Sequence, residues 1–262
     1  MVRNQSLYKE KFNIDDYAKF RDKIIYINHD ELSGKLKTIK PDDSEAEKSY
    51  NLIFNAHMRE NDQRNKIIEG LKSANSNDLI LISDVDEIPN LEYLNLKDIK
   101  NKILMFEQNI FYYKLNRYLP NFKWFGTKAC IKKNLICPQW LRNIKSNKYS
   151  FYRIDTIFSD TKYINKKYIK NGGWHFSNLK NASDIELKLK SYLHHHDYES
   201  EELGKDKIDD LIKNNQTIYD MFGDKKSKKY GNNTRKKLKK YDLEKLPQFI
   251  QNNINKLNEW MD

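Results

Sequence analysis

Two carboxylates, Asp84 and Asp86, stand either side of Val85 just after a run of four apolar residues, Leu79 to Ile82. Four consecutive apolar residues bounded by polar turns read as a strand buried on both faces. Ligands of open α/β sheets bind outside the carboxyl ends of the strands, so acids at i and i+2 in an extended turn can both face that crevice. Taking two charges out of water is costly unless a cation or hydrogen-bond donors compensate them. A divalent ion with hard oxygen ligands, Mn²⁺ or Mg²⁺, does so and can also hold a diphosphate. The plain alternative is an acidic loop capping the next helix. An isolated Asp-x-Asp occurs by chance in many proteins; its place between the apolar run and Glu87-Ile88-Pro89 makes this one more specific.

The elements that must position these acids can be read along the chain. Lys23 to Ile27 reads as a short strand, and residues 28–50 as loop or ragged helix around Pro41. Apolar residues recur at helical spacing from Tyr50 to Lys72, and the polar run Ser73 to Asp78 breaks that helix. After the Asp84 turn, Leu91 to Lys100 reads as helix, Lys102 to Leu115 as β-rich and Trp124 to Lys133 as a strand. Tyr149 to Tyr168 alternates aromatic and polar residues, which predicts one or two half-exposed strands. Helices are predicted at Ile185 to Leu193, Lys207 to Phe222 and Pro247 to Trp260. Helices interspersed with strands, one of them central and buried, define one mixed α/β domain over residues 1–262, without internal repeats.

Composition narrows the function classes. The chain of 262 residues is 38% hydrophobic and 32% charged, enough apolar content for a sizeable core. No apolar run reaches the ~18 residues of a membrane span, and the first residues hold no apolar signal region. The expectation is therefore a soluble protein of the cytoplasm or another intracellular compartment. Cys130 and Cys137 are too few for a disulfide framework or a four-cysteine zinc site and read as free thiols. The net charge of +11 is concentrated: Lys225 to Tyr241 carries nine cations and no acid. Such a tract reads as a solvated, mobile segment, with weak contact to an anionic surface through residues 225–240 as the minority use. A nucleic-acid binder would interleave basic and aromatic residues across a folded face, so no specific nucleic-acid partner is expected.

With these residues in place the chain resembles glycosyltransferase family 17, whose members include the enzyme adding bisecting N-acetylglucosamine to N-glycans. Asp78 to Pro89 (DLILISDVDEIP) carries the resemblance together with Gly172 to Ser177 (GGWHFS). Ile185 to Lys188 match the I-x-x-K that follows, Glu60 to Asn65 with Arg64 resemble an upstream helix, and Leu246-Pro247 resemble the closing segment. The resemblance implies a GT-A-type nucleotide-diphosphosugar transferase fold, with a mixed central sheet flanked by helices. It also implies metal-assisted, inverting transfer from a UDP-sugar, UDP-N-acetylglucosamine by analogy, to a glycan acceptor. Family members usually begin with an apolar strand and helix ahead of the region matched by Met1, and that nucleotide-seating strand is expected to be absent here.

The resemblance assigns roles residue by residue. Asp86 is the expected direct metal ligand, and Asp84 reaches the ribose or the metal through water. His175 completes the metal site or bonds a phosphate oxygen; a lone histidine beside Trp174 is otherwise a structural residue. Its flanking glycines are read as a turn permitting close backbone approach. Trp174 stacks on a sugar or base, or simply packs. Arg64 offers a planar fork to phosphate, or else pairs with Glu60 one turn away. Glu87 and Asp184 are the candidate general bases for the acceptor hydroxyl. His194, His195 and His196 cannot all face one ion from a helix, though His194 or His196 can line the site. The four Asn-x-Ser/Thr sequons fit chance in an Asn-rich chain.

Two other classes compete. A buried strand ending in Asp-x-Asp also begins haloacid-dehalogenase-type phosphohydrolase sites, but those lie near the chain start with a hydroxyl residue soon after the acids. A nucleic-acid or anionic-surface module acting through Lys225 to Lys240 would bind with steep salt dependence.

Overall fold

The computed structural model describes residues 12–29, 36–92, 94, 95, 99, 102–191, 203–218 and 235–262. Its first sheet contains β1 (Leu79–Ile82), β3 (Ile103–Phe106), β6 (Lys128–Ile131) and β7 (Lys166–Ile169), in the order β1-β6-β3-β7. Only β3 and β7 run parallel. One face, with Ile80, Ile82, Ile103 and Met105, packs against Trp140, Leu141 and Ile144. Trp140 and Leu141 belong to the six-residue helix α2 (Pro138–Asn143). Leu104, Phe106, Ala129 and Ile169 form the core of the other face.

The second sheet has the order β2-β8-β4-β5-β9, with β2 (Glu87–Pro89), β4 (Gln108–Tyr112), β5 (Arg117–Trp124), β8 (Gly173–Ser177) and β9 (Lys239–Lys240). It continues the first sheet. The stretch β3–β4 is interrupted only at Glu107, and β7–β8 runs parallel beside it. Glu107 N–H donates to Ile169 O at 3.0 Å, and Gly172 N–H donates to Glu107 O at 3.0 Å, stitching the two breaks together.

The period of two along a strand separates the faces of this second sheet. Ile110, Tyr112 and Leu119 pack beneath Ile185 and Leu189 of α3 (Ala182–Ser191) and Ile208 of α4 (Gly204–Lys213). Phe111 and Phe176 face the opposite way, toward Leu246 and toward Ile250 of α5 (Gln248–Asn252). The chain ends in the 3-10 segment Ile254–Trp260, and Arg117 Nε donates to Asp262 Oδ2 at 2.6 Å.

The fold is α/β with mixed sheets, as expected, and β1 occupies the predicted residues. Its position differs: β1 is an edge strand held antiparallel to β6, not a central one. Its faces are nonetheless covered from both sides, which is why it reads as apolar throughout. The helix α1 (Glu45–Lys66) begins earlier than its apolar spacing indicates, because Ser44 and Glu47 form a reciprocal capping box. Ile14–Lys23 is a 3-10 segment and no strand follows it at Lys23 to Ile27. In the aromatic stretch Tyr149 to Tyr168, β7 is the strand found. The basic tract is only partly described, and that part corrects its reading as a mobile segment. Leu238 is buried, and Lys239 and Lys240 pair with Tyr118 and Arg117 at the sheet edge. One apolar residue and a ladder of backbone bonds suffice to fold a cationic strand whose side chains stay in water. His194, His195, His196 and half of Leu91 to Lys100 lie outside the described residues.

Candidate functional site

The turn Ser83–Asp86 carries the chain from the end of β1 in the first sheet to β2 in the second. Glu87 N–H donates to Asp84 O at 3.0 Å, and Asp84 N–H donates back to Glu87 Oε2 at 3.1 Å. Ser83 Oγ donates to Glu87 O at 2.8 Å and shares a 2.6 Å hydrogen bond with Thr127 Oγ1. The turn is thus tied at both ends, leaving Val85 fully exposed at its tip.

Glu87 is the inner anchor of this turn. Its side chain is 1% exposed. It accepts from Arg142 Nη1 at 2.8 Å, Arg142 Nη2 at 3.1 Å and Trp124 Nε1 at 2.6 Å. Burial pushes its pKa up, but the Arg142 charge and the hydrogen bonds from Arg142, Trp124 and the Asp84 N–H outweigh that and hold the carboxyl below its ordinary range.

The same arginine continues outward. Arg142 Nη2 donates to Asp84 Oδ2 at 2.6 Å, while Arg64 Nη2 reaches Asp84 Oδ1 at 3.3 Å. Arg64 also pairs with Glu60 at 2.9 Å and donates through Nη1 to Gln139 Oε1 at 2.5 Å, linking α1 to α2. Lys128, buried on β6, donates through Nζ to Ile144 O at 2.6 Å and to Arg142 O. It thereby satisfies carbonyls at the end of α2 and fixes the stem of Arg142.

Asp86 has different company. Its Oδ2 lies 3.4 Å from Nε2 of His175, and its backbone oxygen accepts from Phe176 N–H at 2.8 Å. Burial raises its pKa, but the hydrogen bond and charge of His175, with Lys188 beyond, overcome this and keep it below the usual carboxylate range. Lys188 itself comes from α3, where Nζ donates to Asn178 Oδ1 at 2.9 Å. The His175 ring lies 4.8 Å from that of Trp124, tilted by 35°, and its Nδ1 is buried with no hydrogen-bond partner among the described residues.

His175 lies in strand β8 rather than in a turn, paired with Glu87 across the ladder. Close backbone approach is still why Gly173 is needed. Its φ is +129°, and a Cβ there would lie 2.0 Å from Ile88 O. The approaching backbone is the neighbouring strand, not a ligand.

The sequence candidates therefore divide. Asp84, Asp86, Arg64, Glu87 and His175 converge on the β1–β2 turn. Trp174 does not join them; it faces the Phe176 side of the sheet and donates through Nε1 to Lys245 O at 2.9 Å. There it lines a cleft of about 1250 Å³ with Tyr118, Asn109, Lys123 and Tyr241. Asp184 is exposed in the first turn of α3, exchanging hydrogen bonds with Asn181 at 2.8 and 3.0 Å. Arg142 and Trp124 were not anticipated. Arg142 lies 58 positions from Asp84 on a helix too short for periodicity to reveal. Lys188 was indicated only through the I-x-x-K match.

A second cleft, about 540 Å³, opens beside Asp84 between Tyr26–His29, the end of α1 and Ser83–Val85. Among the described residues no three or more His, Cys, Asp or Glu side chains gather as a metal site. A divalent ion still fits the Asp86–His175 pair, since two ligands of one ion at about 2.1 Å lie roughly 3 Å apart and phosphate oxygens and water commonly complete such sites. Asp84 fits less well, because both of its oxygens are already engaged by arginines.

The matching family model is that of glycosyltransferase family 17, over residues 6–260. The chain belongs to this family, and its α/β fold is that of a glycosyltransferase domain. No curated protein and no solved structure matches it. Among the described residues, no helix is long and apolar enough to cross a membrane.

Proposed function

We propose that this glycosyltransferase moves a hexose-type sugar, N-acetylglucosamine, from its UDP donor to a glycan acceptor with inversion and with Mn²⁺ or Mg²⁺. The observation that carries the reading is the Asp86 carboxylate, kept ionised 3.4 Å from His175 at the exit of β1. Asp86 and His175 would hold the metal, which when bound neutralises charge developing on the departing diphosphate. The Asp84 cleft is large enough for the nucleotide, with Arg64 and Tyr26–His29 in its wall. Asp84, clamped by two arginines, is suited to accept from a ribose hydroxyl rather than to ligate the metal.

Glu87 serves as a positioning residue in this scheme, since its oxygens are enclosed by donors. Asp184 is the better candidate base: it is exposed and lies one helical turn before Lys188, on the same face of α3. Trp174, on the other face of the sheet, is suited to stack on an outlying acceptor sugar.

The test is turnover of UDP-N-acetylglucosamine with a panel of glycan acceptors, with Mn²⁺ and with a chelator. Metal-dependent release of UDP that requires acceptor, and that disappears in Asp86→Ala, supports the scheme. Undiminished turnover in Asp86→Ala would overturn it. Salt-sensitive nucleic-acid binding without any donor turnover would favour the binding-module alternative.

A further inference from the structure

The segment after α2 leaves large apolar side chains in water. Phe151, Tyr152, Ile154, Ile157 and Phe158 are each between 69% and 87% exposed. Contiguous apolar patches on soluble monomers are small, and larger ones mark interaction sites. This one is held out on a fastened neck. Lys145 N–H donates to Thr161 O at 2.8 Å, Tyr168 OH to Ser146 O at 2.6 Å, and Trp140 Nε1 to Asp160 O at 2.7 Å. Lys166 Nζ crosses the neck to Lys145 O at 2.7 Å and Asn147 O at 2.6 Å. At the tip, Thr156 is buried and donates through Oγ1 to Arg153 O at 2.6 Å, so the turn itself is ordered.

Charge in this stretch is one-sided. Lys145, Lys148, Arg153, Lys162, Lys166 and Lys167 stand against two acids, Asp155 and Asp160. Asp155 is already taken by Arg153 at 2.6 Å and Lys162 at 2.9 Å. An apolar tip borne on a stretch with six cations and two acids complements a surface that is anionic at its boundary and apolar just beneath. Long lysine stems can lie along the apolar layer with their heads in the charged one, and tyrosines favour that boundary.

We infer that residues 151–158 dock this protein onto an anionic lipid bilayer, the apolar side chains entering the acyl boundary while cations of the same stretch meet the headgroups. This surface is separate from the sugar-transfer site, and its test does not depend on that reading.

The experiment is flotation of the full chain with phosphatidylcholine vesicles and with vesicles that also contain phosphatidylglycerol. Binding to the anionic vesicles, weakened by salt, is expected. The double variant Phe151→Ser/Phe158→Ser should bind about tenfold or more weakly while melting at the wild-type temperature. In a separate variant, Phe158→Trp, the new indole should shift its emission to the blue on anionic vesicles only. The inference is overturned if the wild type stays off anionic vesicles, or if the serine variant binds as tightly, leaving the Lys225–Lys240 tract as the contact. It also fails if the emission does not shift, or if sedimentation shows the patch joining two copies of the chain instead.

Discussion

Arg142 closes both prongs of its guanidinium on Glu87, Nη1 to Oε2 at 2.8 Å and Nη2 to Oε1 at 3.1 Å, in the interior beneath the β1–β2 turn. Bidentate pairing of this kind is among the stronger charge-assisted contacts. Here it also sets the direction of Asp84, which takes the outer side of the same nitrogen. Removing one partner of a buried pair leaves an uncompensated charge. Arg142→Met should therefore lower unfolding free energy by about 3–5 kcal/mol, measured by denaturant titration. Adding Glu87→Gln should recover part of that loss, giving a coupling energy of about 1–3 kcal/mol in the double-mutant cycle. Simple additivity would show that the pair is not a unit.

The same carboxylate gives an acid limb to stability. Burial opposes ionisation of Glu87, yet Arg142 and the surrounding donors leave its folded pKa below the unfolded value of about 4.3. The unfolded chain then binds the proton first. The stabilisation is complete above the unfolded value and is lost as pH falls through the lower, folded one. Thermal melts of wild type and Glu87→Gln should differ most at neutral pH and converge in acid. A constant difference down to acid pH would contradict this.

Lys128 predicts an alkaline effect of opposite origin. Burial first, and the Arg142 charge second, pull its pKa down to about 7, against a partial upward pull from Glu87. Between about 7 and the ordinary lysine value near 10.4 the unfolded state holds the extra proton. Stability from this residue thus rises with pH across that window and is lost as pH falls through about 7. Lys128→Met should flatten that rise while lowering stability by a pH-independent amount, since the carbonyls of Arg142 and Ile144 lose their donor. Equal pH slopes for the two proteins would refute the assignment.

Gly173→Ala tests the sheet junction. At φ +129° with Ile88 O 2.0 Å from the added Cβ, the change forces β2 and β8 apart. A loss well above the ~1 kcal/mol of a compatible glycine exchange is expected, together with weaker nucleotide binding, because His175 and Glu87 face each other on these strands. An unperturbed melting temperature would show that the strands tolerate the separation.

What the sequence revealed, and what it hid, follows from the range of the interactions involved. β1 and α1 announced themselves because four consecutive apolar residues and a helical period are local signals. Asp84, Asp86 and His175 stood out through short motifs. β8 was concealed by the glycine pair at its start, of which Gly173 gives steric clearance to a strand distant in sequence. Arg142 and Trp124 carry no local signature: their meaning comes from Glu87, 55 and 37 positions away. The separation of Trp174 from its neighbour His175 is the alternation of strand faces, which becomes visible only once β8 is known to be a strand.

The central claim is that Asp86 organises metal-dependent nucleotide binding. Isothermal titration of UDP into wild type and Asp86→Ala, with and without Mn²⁺, tests it most directly. The account predicts binding by the wild type that depends on Mn²⁺, and its loss in a variant that still melts as the wild type does. Equal, Mn²⁺-supported binding by Asp86→Ala, or none by the folded wild type, would contradict it.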